Sequence, residues 1–181
     1  MLSGMPTSGM LIACQIMLQQ AERQGPEHDD VADTLRRRAV SSAYYAIFHQ
    51  VCGVIATHLT RELSEEDRTT VFEQAYRVLD HGRLKATAQR LVAQSSGGAP
   101  SLATATLRNF CTQLILLYDA RQQADYSPAY TFSQAEATEL VRSAEGLWGP
   151  FVVPDPPDGS SPLRSRLVVE LLAPPKSSRR P

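Results

Sequence analysis

The chain has 181 residues and a formal net charge of -1, and it is 43% hydrophobic, 20% charged and 7% aromatic. That length suits one domain with a tail, and the apolar fraction supplies a core of ordinary size. The near-zero charge excludes a global pull toward nucleic acid or membrane, so any nucleic-acid contact must come from a local basic patch.

Residues 1–7 are expected to be loose. The spacing predicts a first helix over 10–23, with Leu11, Ile12, Ile16, Met17 and Leu18 on its apolar side. Gly25 and Pro26 end it, because proline cannot continue the hydrogen-bond ladder. The segment 1–17 lacks a basic start and a long apolar run, so it reads as part of this helix and not as a signal peptide. No stretch approaches the ~20 apolar residues of a membrane span.

A second helix starts near Asp29 or Asp30, where acidic side chains complement the helix dipole, and runs to about residue 59. Val40, Tyr44, Ile47, Val51, Val54 and Ile55 follow the amphipathic spacing. Ala39, Ala43 and Ala46 form an adjacent small face that lets another helix come close. A further stripe, Arg38, Ser42, Tyr45 and His49, recurs at i, i+4, i+7 and i+11, so these side chains stack along one side as the wall of a site.

Ser64 is placed to cap a third helix carrying Val71, Phe72, Ala75, Val78 and Leu79 inward. His81 and Gly82 are expected to break it, with the pattern resuming over 84–92. Residues 95–100, SSGGAP, read as a loop. A fourth helix over 102–126 has the seam Leu107, Phe110, Cys111, Leu114, Leu117 and Tyr118. Arg121 continues that seam, with Asp125 four residues on. A guanidinium on an apolar seam points toward the bundle or its rim and needs a partner there.

Pro128 closes the fourth helix. Ser133 and Glu136 have capping-box spacing, and a fifth helix runs to about residue 148 with Ala137, Leu140, Val141, Ala144 and Leu147 inward. Beyond Gly149 the prolines multiply among Ser and Arg, so 150–181 reads as a Pro-rich, largely disordered C-terminal tail. Its one apolar island, 166–172, is free to pack back or to meet a partner. The domain, 1–149, is expected to be all-α, with no strand alternation.

Cys14, Cys52 and Cys111 are far apart, odd in number and set within helical apolar patterns, as buried reduced thiols of a cytoplasmic protein would be. No Cys/His spacing suggests a metal, and no cofactor is expected. The sequence lacks a Gly-rich phosphate loop, HExxH and a nucleophile elbow. The carboxylate pairs Asp29, Asp30 and Glu65, Glu66 sit where helices begin and serve as caps.

One constellation stands apart: Arg38, Tyr45 and His49 on the second helix with Tyr118, Arg121, Asp125 and Tyr126 on the fourth. In a structural reading Arg121 and Asp125 pair, Tyr45 caps the pair, and His49 is a satisfied interface histidine. In a functional reading they form a phosphate or RNA-backbone site. Arg grips phosphate bidentately, His moves a proton near neutrality, and Tyr offers a hydroxyl or a stacking face.

The run 37–49, Arg-Arg-Ala-Val-Ser-Ser-Ala-Tyr-Tyr-Ala-Ile-Phe-His, resembles the RAA-SRAYYAMFH signature of bacterial HEPN domains, the higher eukaryotes and prokaryotes nucleotide-binding family. The run 118–128, Tyr-Asp-Ala-Arg-Gln-Gln-Ala-Asp-Tyr-Ser-Pro, resembles that subfamily's LR-x-x-ADY-x-P segment. His81 and Gly82 fall where similar proteins often carry these residues, and the entry to the fifth helix through Phe132 and Ser133 also fits. The resemblance covers roughly residues 8–148.

It implies an up-and-down bundle of four to five helices that often dimerises. Many members of that family are toxins or defence ribonucleases encoded beside a nucleotidyltransferase antitoxin. Active members cleave RNA without metal through an R-x4-6-H motif: the ribose 2'-OH attacks the phosphate while His moves protons and Arg stabilises charge. Arg121 matches the motif's Arg, but Asp125, Tyr126, Ser127 and Pro128 follow, the last histidine is His81, and Ser42 replaces the Arg of SRAYYA. The resemblance therefore implies one of two things. The first is a homodimeric nucleotide-, RNA- or partner-binding module of a toxin-antitoxin or defence system. The second is a ribonuclease toxin with Arg121 and His49 catalytic. In both, Arg38, Tyr45, His81, Asp125 and Tyr126 would bind the substrate.

Overall fold

The computed structural model describes residues 7–94, 102–152 and 162–172, and every regular element among them is helical. α1 (Thr7–Glu22) leads through a 3-10 turn at Pro26–His28 into α2 (Asp29–Thr60). α3 (Glu65–Tyr76), α4 (His81–Gln94), α5 (Leu102–Tyr126), α6 (Gln134–Val152) and α7 (Pro162–Leu172) follow. These seven helices exceed the four to five expected, because the third predicted helix is two and the tail contributes another.

α2 is the axis: α1, α3, α5 and α6 all pack on it, and α7 reaches it. Val40, Tyr44, Ile47, Val51 and Ile55 are buried, and so are Ala39, Ala43 and Ala46. Val54, at the edge of that stripe, is only half-buried. The segment Pro26–Thr60 is long and apolar enough by length and composition to cross a membrane, which the count of consecutive apolar residues did not anticipate. However, 72% of its apolar window is buried inside the bundle, as befits a core helix.

α1 turns a different face inward than expected. Leu11, Cys14, Leu18 and Ala21 are buried, whereas Ile12 and Ile16 are 57% and 49% exposed. The small Cys14 and Ala21 let α1 lie close to its neighbours, and this close fit outweighs the larger isoleucines on the next face. Thr7, expected to be loose, is buried. Its hydroxyl donates to Gln50 Oε1 (3.0 Å) and accepts from Trp148 Nε1 (3.3 Å), which fixes the start of α1 to α2 and α6.

Ser64 caps α3 by accepting the Asp67 N–H at 3.3 Å. The predicted inward face is only partly covered: α3 packs chiefly on α2, Ala75 and Leu79 are buried, and Val78, just past the end of α3, is 48% exposed. The break falls at residues 77–80, not at His81 and Gly82. Asp80 accepts the Arg83 N–H at 2.7 Å, so His81 and Gly82 form the first turn of α4. The predicted loop 95–100 lies outside the described residues.

α5 runs antiparallel to α2, with Tyr118 packed edge-on against Tyr44 and Ala124 bonded to Arg37. Its seam of Leu107, Phe110, Cys111, Leu114 and Leu117 is buried, as are Ala137, Val141, Ala144 and Leu147 of α6. Ser133 caps α6 by accepting the Glu136 N–H at 3.1 Å. The capping box is not reciprocal, since the Glu136 carboxylate accepts from the Tyr130 hydroxyl instead.

The apolar island of the tail packs back. α7 buries Leu167, Val168 and Leu171 against α5, α2 and α4. Arg90 of α4 binds the Glu170 carboxylate at 2.6 Å and its carbonyl at 3.2 Å. All three cysteines are free and buried, and burial pushes each thiol up to about 12.

Candidate functional site

The C-terminal end of α5 meets the N-terminal half of α2 at a cleft of about 430 Å³. α2 lines it with Thr34, Arg38, Ser41 and Tyr45, an i, i+4, i+7, i+11 row, and with Arg37 beside that row; α5 supplies Arg121, Ala124, Asp125 and Tyr126. The expected stripe is thus turned about the helix axis by about 40°, less than half of one residue's step, and keeps Arg38 and Tyr45. At about 100° per residue, Thr34, Ser41 and Tyr45 lie on one side of Arg38 and Ser42 and His49 on the other. The cleft takes the first side.

Arg121 is 7% exposed, as its place on the α5 seam requires. Its Nη2 donates to the Tyr45 hydroxyl, and its Nε lies 2.7 Å from Asp125 Oδ2. That contact is an ion pair off the N–H axis, so Nε makes no aligned hydrogen bond. The guanidinium carbon sits 5.1 Å from the Tyr45 ring centroid and 5.3 Å from that of Tyr126. Burial works against the charge, but the Tyr45 oxygen, then Asp125 and Tyr126, outweigh it and hold Arg121 more firmly protonated than usual. The ring of Tyr126 is 67% exposed at the mouth.

Arg38 is exposed and has no hydrogen-bond or ion-pair partner among the described residues. The lining therefore holds three guanidiniums, those of Arg37, Arg38 and Arg121, against the single carboxylate of Asp125. Asp33, outside the lining, pairs with Arg37, and Asp125 pairs with Arg121, so among the described residues Arg38 leaves the cleft one positive charge in excess, on a chain whose net charge is -1. The α5 C-terminus would bring negative partial charge, but Arg37 binds its carbonyl groups and offsets it.

His49 and His81 lie behind Tyr45, not in the cleft. His49 stacks on Tyr45 (centroids 6.1 Å), and its Nδ1 pairs with the Tyr76 hydroxyl at 2.7 Å. His81 meets Tyr45 edge-on (5.4 Å), lies 3.9 Å from the Phe48 ring and bonds the Tyr44 hydroxyl through Nδ1 at 2.9 Å. Burial lowers the pKa of both histidines, and Arg121 and His49 lower that of His81 further against the pull of Asp80.

Of the residues singled out in the sequence, Arg38, Tyr45, Arg121, Asp125 and Tyr126 share the cleft, and the two histidines reach it only through Tyr45. Thr34, Arg37 and Ser41 were missed. Extending the helical row from Arg38 by four residues backward and three forward finds Thr34 and Ser41; Arg37 has no such signal. Among the described residues no cluster of His, Cys, Asp or Glu is built to hold a metal ion. Comparison of the chain with protein-family models, curated proteins and solved structures returns no match.

Proposed function

We propose that the cleft binds a phosphate-bearing ligand, a nucleotide or a stretch of RNA, and that the chain acts as a HEPN-type binding module. The observation that carries this reading is the pairing of a buried, pinned Arg121 with an unpartnered Arg38 across one concave site. Two such guanidiniums grip an anionic phosphate, and the exposed Tyr126 ring gives a base a face to stack on. The volume lies within the range of small-ligand pockets. In this reading the chain is a cytoplasmic homodimer in a toxin-antitoxin or defence system, with a nucleotidyltransferase-like partner.

Titration calorimetry with AMP, ATP and a short single-stranded RNA tests this reading. Binding is expected to weaken as salt rises and to be lost in Arg38→Ala and Arg121→Met. Wild-type protein that binds none of the three, at low salt, overturns it.

A second reading is a metal-independent ribonuclease. It is favoured by Tyr45, which binds Arg121 through its hydroxyl and contacts both histidine rings. It predicts RNA cleavage in chelator that His49→Ala or His81→Ala abolishes at unchanged helical circular dichroism. Its weakness is geometric, because the one described bond of His49 Nδ1 goes to Tyr76 and not into the cleft. The cleft lining, which holds both Arg38 and Arg121 and neither histidine, favours binding over cleavage.

A further inference from the structure

α5 ends in Tyr126-Ser127-Pro128, and that ending poses a hydrogen-bonding problem. The last carbonyl groups of a helix need donors from the residues that follow. Pro128 has no N–H to give. Arg37 supplies the donors from across the interface. Its Nη1 reaches the Ala124 carbonyl at 2.7 Å and that of Gln123 at 3.3 Å, and its Nη2 binds the carbonyls of Ser127 and Tyr130. Its Nε donates to Asp33 Oδ2 at 2.9 Å, and Asp33 Oδ1 accepts the Phe132 N–H at 3.3 Å.

A guanidinium has five N–H donors, and Arg37 has an acceptor for each. It therefore has no donor left for a ligand, although it lines the cleft. The grip on phosphate falls to Arg38 and Arg121. What Arg37 fixes is the backbone on both sides of Asp125 and Tyr126. Those two side chains hold the Arg121 guanidinium and form the mouth.

We infer that Arg37 is the positioning residue of the cleft, the group that sets Asp125 and Tyr126 where a nucleoside can meet them without itself touching the ligand. The inference deepens the phosphate-cleft reading and rests on it for its binding half. Lysine cannot replace Arg37, because an ammonium has three donors and no planar fork.

The test compares Arg37→Lys with wild type by hydrogen exchange and by calorimetry with two probes, AMP and inorganic phosphate. Exchange at the Ser127 and Tyr130 amides, which donate to the Gln123 and Ser127 carbonyls, is expected to speed at least about tenfold, while amides of the α2 and α6 core keep their protection. The AMP dissociation constant is expected to rise about tenfold, the size of one charge-assisted hydrogen bond, and that for phosphate less than about twofold. Asp33→Asn, which leaves the fork on the carbonyls but weakens its anchor, is expected to give the same pattern at smaller size. It decides the matter if Arg37→Lys does not fold.

Equal weakening of both probes, uniformly faster exchange, or unchanged exchange at 127 and 130 overturns the inference. Wild-type protein that binds neither probe, and neither ATP nor the short RNA, overturns the cleft reading and the binding half with it. Loss of protection confined to the Ser127 and Tyr130 amides would then mark Arg37 as a helix cap alone.

Discussion

Replacing Asp125 by alanine leaves the Arg121 guanidinium with the Tyr45 hydroxyl as its one protein acceptor. The side chains of the pair are 9% and 17% exposed. Breaking a fully buried pair costs about 3–5 kcal/mol, and an exposed pair is worth at most about 1 kcal/mol. The off-axis contact and the open cleft place this pair between those limits, at about 2 kcal/mol. That loss corresponds to about 4–8 °C in Tm for a chain of this length. Arg121→Met removes the charge that needs a partner and leaves Asp125 at the rim, so it is expected to stay within ~1 kcal/mol of wild type.

The double variant should match Arg121→Met rather than add the two losses. Urea unfolding followed by helical circular dichroism measures all three. If Arg121→Met is as unstable as Asp125→Ala, the guanidinium is a structural element in its own right, and the cleft loses its claim to be a site held ready for a ligand.

Three further outcomes follow from the same geometry. His49 and His81 are held neutral by burial, so the unfolded chain binds protons that the folded one refuses. Stability should be full above about pH 6.5, the unfolded histidine value, and should fall as pH drops below it. The urea midpoint between about pH 7 and pH 5 should show that slope, and His81→Gln should flatten it; a flat wild-type profile contradicts the burial of these rings. The cysteines should resist a thiol reagent in the native protein and all react once it is unfolded, so rapid native labelling of any of them refutes the described core. Leu171→Ala in α7 should destabilise by about 2–4 kcal/mol, because the side chain is buried in the main core; a change below ~0.5 kcal/mol means that α7 does not pack in solution.

The long apolar rows of α2 and α5 were legible in the sequence because each helix has enough turns for its period to show. Arg121 was legible for the same reason, since a charged residue interrupting a buried row stands out. The inward face of α1 was not, because small residues at close helix contacts carry little hydrophobic signal, and Ile12 and Ile16 spoke louder than Cys14 and Ala21. The break before α4 turned on a single side chain, Asp80, capping the next helix. Proline density hid α7, whose burial depends on a groove built by α2, α4 and α5.

The cleft was half legible. A helical row of polar residues was visible, but a turn of about 40° about the helix axis decides whether Ser41 or Ser42 belongs to it, and that turn is set by packing. The role of Arg37 was not legible at all. Four of its five acceptors are backbone carbonyls more than eighty residues away in sequence, and carbonyls have no letter in the sequence; the fifth, Asp33, is an ordinary i,i+4 pair that gives no hint of the rest.

The phosphate reading turns on whether Arg38 and Arg121 hold the anion. Calorimetric titration of AMP into wild type, Arg38→Ala and Arg121→Met at low salt measures this most directly. Saturable binding by wild type, weakened at least about tenfold in each variant while thermal stability is kept, is the predicted result. Equal affinities in all three proteins would contradict it.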